Sequence, residues 1–184
     1  MFREDKTTQM AGQFLARSGG SMPYLLLMKL LYIADKQMLV RHGKPITYDR
    51  WFSMARGPVL SSTYDLIKAG PNRSTYWSDH IATSGYDVVL KANPGDDDLS
   101  RAEDAIIDQT FREWGHKDQW DVVELTHNFP EWKDPGTSSD PIPYERVLRS
   151  GGIPRAQLED ILEDIAMQDD VWALPRAVEF GATV

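Results

Sequence analysis

Four histidines, His42, His80, His116 and His127, are the side chains best suited to moving protons near neutral pH. None has a second histidine three or four residues away, so no helical two-histidine metal face forms. Asp96-Asp97-Asp98 lacks the alternating spacing and the later glutamate of a calcium loop. The chain has no cysteine, which removes thiolate nucleophiles, thiolate metal sites and disulfides. A Gly-x-Ser-x-Gly elbow, a phosphate loop, a Gly-x-Gly-x-x-Gly turn and a His-Glu-x-x-His helix are also missing. His127 is then the one candidate general base, with Asp121 or Glu124 as its carboxylate partner. The same residue also reads as a structural joint. At a helix C-terminus the dipole favours it, Thr126 and His127 close hydrogen bonds, and Trp132 fills the core. The structural reading is preferred, so no catalytic residue, metal or cofactor is expected and the chain is read as a non-enzyme.

Charge separates the chain into two regions. Residues 21–63 hold six cations, Lys29, Lys36, Arg41, Lys44, Arg50 and Arg56, against two anions, Asp35 and Asp49. Residues 96–184 hold 21 anions against 8 cations, and the whole chain carries −8. An acidic second half repels phosphate, so nucleic-acid binding is disfavoured even though Trp51 and Phe52 interleave with the cations. A basic protein partner suits it better. The apolar run around residues 24–34 is broken by Lys29 and closed by Asp35 and Lys36, too early to span a bilayer. No signal-peptide core is seen at the N-terminus, and a cytoplasmic location is expected.

The elements that must hold these residues are mostly helical. A length of 184 residues fits one domain, read as 1–184. Helices are expected over 6–17, 59–69, 100–114, 119–127 and 144–149. A buried central helix is expected over about 22–41, capped by Ser21 with Pro23 in its first turn. Its apolar residues surround nearly the whole circumference, which marks a buried helix. His42-Gly43 closes it. A further short helix is expected near 48–54. Tyr76 to Thr83 and Tyr86 to Ala92 read as two strands of a small β-hairpin around Ser84-Gly85. Residues 134–143 read as a loop. An acidic amphipathic helix is expected over 154–167, with Leu158, Ile161, Leu162 and Ile165 inward and Glu159, Asp160, Glu163 and Asp164 outward. The tail, 170–184, is expected to be flexible, though Val171, Trp172 and Leu174 have the apolar character to dock. The fold class is therefore mainly α, with a small hairpin over about 76–92.

Several short motifs occur in one order. Lys29-Leu30-Leu31-Tyr32-Ile33-Ala34-Asp35 resembles the K-L-L-Y-hydrophobic-A-D helix of the Panacea, or SocA-like, antitoxin domain. Gly43, Pro45-Ile46-Thr47 and Trp51-Phe52 resemble its connector, and Gly57-Pro58-Val59 its G-P-V turn. Leu125-Thr126-His127 and Trp132 are similar to its later L-T-H and W joint. Arg56 departs from the pattern, which carries an aromatic residue there, usually Tyr. The matches span about 22–132.

The resemblance implies a mostly helical domain and an antitoxin of a bacterial or phage toxin–antitoxin system. Such domains neutralise diverse toxins by direct protein contact. The motif residues Lys29, Leu30, Leu31, Tyr32, Asp35, Gly57, Pro58, Thr126, His127 and Trp132 read mainly as fold determinants, so the toxin contact is sought elsewhere. Two surfaces are expected to provide it. One is a basic and aromatic edge at Arg41, Lys44, Trp51 and Arg56. The other is the acidic face at Glu159, Asp160, Glu163 and Asp164. An adaptor that delivers a toxin to a cellular protease, using the tail as its tether, is the alternative, followed by an enzyme using His127.

Overall fold

The computed structural model describes residues 1–69 and 75–173, the last five of them as backbone only. Eight helices and two three-stranded antiparallel sheets appear among the described residues. In chain order they are α1 (Glu4–Arg17), β1 (Ser21–Pro23), α2 (Tyr24–His42), β2 (Trp51–Met54), β3 (Gly57–Leu60), α3 (Ser61–Ala69), α4 (Tyr76–His80), β4 (Ile81–Ser84), β5 (Asp87–Leu90), α5 (Arg101–Trp114), α6 (Gln119–His127), β6 (Asp140–Ile142), α7 (Tyr144–Ser150) and α8 (Arg155–Ala173).

Helix α2 buries every residue from Leu25 to Asp35, together with Met38 and Leu39. It packs against α1, α3, α5, α6, α7 and three strands, as a helix apolar on all sides must. Gly43 ends it in the left-handed conformation (φ 71°), its N–H bonded to Leu39 O. One buried cluster joins α1, α2, α5, α6, α7 and the strands around it.

Strand formation accounts for most differences from the expected elements. Ser21 does not cap α2. It opens β1, which pairs with β5 in the register Ser21↔Val89 and Met22↔Val88. Pro23 has the extended ψ of 132° at the helix N-cap, and Tyr24 N–H bonds Tyr86 O at 2.9 Å. The carbonyl of Tyr86, in the turn that leads into β5, thus satisfies the backbone that a local serine cap was expected to serve.

The segment near 48–54 forms no helix. Trp51 and Ser53 point inward while Phe52 and Met54 are half-buried, which is the two-residue period of a strand. β3 and β6 flank β2, with Trp51 opposite Leu60 and Ile142. β6 thus arises within the stretch read as a loop. β3 takes the residues assigned to the start of the next helix, so α3 begins at Ser61. Pro58 is tolerated because β3 lies at the sheet edge.

The hairpin is shorter than expected. Residues 76–80 form α4, opened by a capping box between Thr75 and Ser78, so the paired strands cover only 81–90. The boxes and caps at Ser100/Glu103 and Asp118 form as expected. α8 continues to Ala173, beyond its expected end at 167. Val171 and Trp172 belong to its backbone. Leu174 and the rest of the tail lie outside the described residues.

Candidate functional site

The polar members of the α2 motif, Lys29, Tyr32 and Asp35, recur at one face of the helix, joined by Lys36 just beyond the motif. Lys29 reaches the turn at Pro58, Asp35 the connector, and Tyr32 and Lys36 together Glu131, while Leu30 and Leu31 are wholly buried core.

Asp35 organises the connector. Its Oδ1 accepts from Ile46 N at 2.5 Å and Thr47 N at 2.9 Å. Its Oδ2 accepts from Thr47 Oγ1 at 2.5 Å and Trp51 Nε1 at 3.1 Å. Full burial pushes the carboxyl up to about 6, against the lowering pull of the Thr47 and Ile46 donors. Asp49 continues the scheme by capping α3 through Ser62 N and Thr63 N, both at 2.9 Å.

Lys29 reaches the turn motif. Its Nζ donates to Pro58 O at 2.8 Å, and burial brings the ammonium down to about 7. Gly57 sits beside it with φ 91°. A Cβ there would lie 2.6 Å from Thr126 Oγ1 and 2.9 Å from Lys29 Nζ. The glycine therefore serves both a left-handed backbone and a close approach of three motifs. Thr126 Oγ1 itself donates to Val123 O within α6.

Tyr32 reaches Glu131. Its hydroxyl donates to Glu131 Oε1 at 2.9 Å, and Lys36 Nζ bridges the same oxygen at 2.7 Å. Burial, then the Glu131 charge, holds the Tyr32 hydroxyl well above its ordinary range. Lys36 also lies 3.6 Å from the Phe129 ring centroid. Glu131 is fully buried and was missed in the sequence. Its place between Pro130 and Trp132 was visible, but nothing local distinguishes a buried glutamate from a solvated one.

His127 lies flat against Trp132, with ring centroids 4.1 Å apart and 14° between planes. Trp132 Nε1 donates to Met54 O, joining α6 to the β2–β3 hairpin. His127 Nδ1 is 4.0 Å from Glu124 Oε1, beyond hydrogen-bond reach, and Nε2 is buried without a partner among the described residues.

The expected basic and aromatic edge is not one surface. Trp51 is 2% exposed and packs edge-on against Tyr32 and Tyr144, so it lies in the core. Its Nε1 hydrogen bond to Asp35 explains the inward turn. Arg41 sits in the last turn of α2, bonded to Gln109, with exposed Lys44 beyond it. Arg56 lies beside Tyr24 and Leu25 at the helix start, about 24 Å away along the axis. Glu159, Asp160, Glu163 and Asp164 are all exposed along α8.

Arg56 instead has aromatic company that sequence reasoning missed. Its guanidinium stands 5.6 Å from the Trp120 ring centroid. Trp120 is 50% exposed, and Tyr86, at the hairpin tip, is 82% exposed and stacked on Tyr24. A tryptophan or tyrosine in sequence reads first as core material, and only the packing reveals one left outside.

The fold is thus a mainly helical domain with small antiparallel sheets, locked by a buried polar helix face and carrying exposed aromatic rings beside the Arg56 guanidinium. The chain belongs to the family of the antitoxin SocA-like, Panacea domain, whose sequence model matches residues 27–133. Every motif residue from Lys29 to Trp132 lies within that stretch. No curated protein and no solved structure matches the chain. Among the described residues, no helix is long and apolar enough to cross a membrane.

Proposed function

We propose that this antitoxin-like domain neutralises one protein toxin by binding it directly in a stable complex, within a bacterial or phage toxin–antitoxin system. Membership of the Panacea family over residues 27–133 carries this reading. The motif residues support it indirectly. They are consumed by hydrogen bonds and packing inside the domain, which leaves the exposed residues to recognise a partner. The toxin is encoded beside this gene, and the pair meets in the cytoplasm. Neutralisation without catalysis needs only an interface of ordinary size, about 1,200–2,000 Å² in total.

The test is to induce the neighbouring open reading frame alone and then together with this chain. Toxicity alone, rescue together and recovery of a stoichiometric complex are expected. A harmless neighbour would overturn the reading. Rescue with faster toxin loss and no recoverable complex would replace it with delivery to a protease.

A further inference from the structure

Two neighbouring concavities share Tyr24, Leu25 and Arg56, and together they form one groove across the start of α2. The outer half encloses about 410 Å³ and is walled by Tyr86, Asp87 and Trp120. The inner half encloses about 230 Å³, with Lys29, Met54 and Tyr64 in its lining.

The residues exposed here are of the kinds that dominate protein interfaces. Tryptophan, tyrosine and arginine bring large contact area with few torsions to freeze. Tyr86 and Trp120 are half or more exposed, although both are large and apolar-bodied. Tyr86 is supported from behind by Tyr24, and Arg56 is held over Trp120. Groups already positioned in this way lose less freedom when a partner arrives.

Charge says what kind of partner fits. The chain carries −8, yet no carboxylate lines the inner half of the groove, where Arg56 is exposed and Lys29 is buried beneath the surface. Asp87 is the single acid of the outer half. Arg56 has no ion pair among the described residues, and Lys29 has Pro58 O as its hydrogen-bond acceptor. A guanidinium beside an exposed indole offers a carboxylate a bidentate contact at an apolar surface.

We propose that this groove is the toxin-docking surface, and that it takes a segment in which an acidic side chain stands next to an aromatic or branched aliphatic one. The carboxylate pairs with Arg56 at the rim. The apolar neighbour inserts between Tyr86 and Trp120. The assignment of the partner rests on the antitoxin reading, whereas the chemistry of the groove does not.

The experiment has two arms. In the first, a phage-displayed library of short random peptides is selected on the whole protein. Enriched peptides are then titrated against Arg56→Glu, Trp120→Ala and, as a control, Arg101→Glu on α5. All three positions are exposed, and circular dichroism verifies each fold. Enrichment of adjacent acidic and apolar residues is expected, with binding about 30-fold weaker in the two groove variants and unchanged in the control. Failure to enrich, enrichment without acidic residues, or full affinity for Arg56→Glu would overturn the proposal.

In the second arm, the product of the neighbouring reading frame is titrated against the same variants. Loss of affinity in Arg56→Glu and Trp120→Ala alone supports docking in the groove. Equal affinity across all variants overturns the groove as the toxin site while the antitoxin reading stands. No binding to the wild-type chain overturns the antitoxin reading and with it the toxin assignment, and the peptide arm then decides the groove chemistry by itself.

Discussion

Lys29 Nζ donates to the carbonyl oxygen of Pro58 at 2.8 Å, so the helix motif and the turn motif are two halves of one contact. The pair is 29 residues apart in sequence and closed over by Gly57 and Thr126. The K-L-L-Y, G-P-V and L-T-H segments therefore occur together for a mechanical reason. Each supplies one wall of a single buried polar junction.

That junction makes stability depend on alkaline pH. Burial sets Lys29 at about 7, below its ordinary 10.5. Between those values the unfolded chain binds a proton that the folded chain lacks. Stability from this group therefore rises with pH through the window, by up to about 1.4 kcal/mol per pH unit. Below pH 7 both states are protonated and the slope vanishes. Urea midpoints of the wild type and Lys29→Met, followed from neutral to alkaline pH, should diverge in favour of the wild type. A constant gap would mean that the amino group is hydrated in solution.

Gly57→Ala is expected to lose about 2–4 kcal/mol, combining a strained left-handed backbone with an overpacked contact. The new methyl would stand 2.6 Å from Thr126 Oγ1. Thr126→Ala in the same chain should recover part of the loss. Strictly additive effects in the double variant would remove Thr126 from the cause and leave the backbone angle and the Lys29 contact to set the requirement for glycine.

Asp35→Ala leaves two backbone amides, a hydroxyl and an indole without their acceptor. A loss of about 3 kcal/mol or more is expected from the stranded donors. The pH dependence has the opposite sign to that of Lys29. Burial raises the carboxyl from 3.8 to about 6, so the folded chain holds an extra proton between those values. The stability contributed by this group falls as pH rises through that window. Chemical denaturation of both proteins from about pH 4 to 6 should show the slope in the wild type only.

His127→Ala should remove the stack on Trp132 at a cost of about 1 kcal/mol, beyond which the fold persists. Protection against the toxin at saturating expression is expected to be unchanged. A folded variant that binds the toxin but fails to protect would make His127 a proton-transfer group instead.

Helices were legible wherever periodicity and caps agreed. Ser100/Glu103 and Asp118 mark their boundaries locally, and the apolar girth of 25–34 indicates burial without reference to any partner. The β4–β5 hairpin was legible from its turn at Ser84-Gly85, whereas the other four strands were not. β1, β2, β3 and β6 are three or four residues long, too short for periodicity to show without a turn signal such as Ser84-Gly85 beside them, and two of the pairings, β1–β5 and β2–β6, join distant segments. The candidate site divides in the same way. Lys29, Asp35, Gly57 and Thr126 could be named from motifs, and Arg56 from its charge. That Trp51 turns inward to Asp35 while Trp120 stays outside depends on tertiary hydrogen bonding and packing, and no window of sequence contains both partners.

The exposed row Glu159, Asp160, Glu163 and Asp164 on α8 is expected to act at a distance rather than in the groove. If the toxin is basic overall, this row raises its encounter rate without adding a docked contact. Reversing all four to Lys would cancel the whole net charge of −8, and a neutral chain invites self-association. Changing the four to Gln and Asn halves the charge and keeps the shapes. That variant should associate about tenfold more slowly at low salt, dissociate at the wild-type rate, and lose the difference at high salt, where screening removes long-range attraction. Stopped-flow association at two ionic strengths distinguishes the cases. An unchanged rate removes α8 from the encounter, and faster dissociation would place the row inside the interface itself.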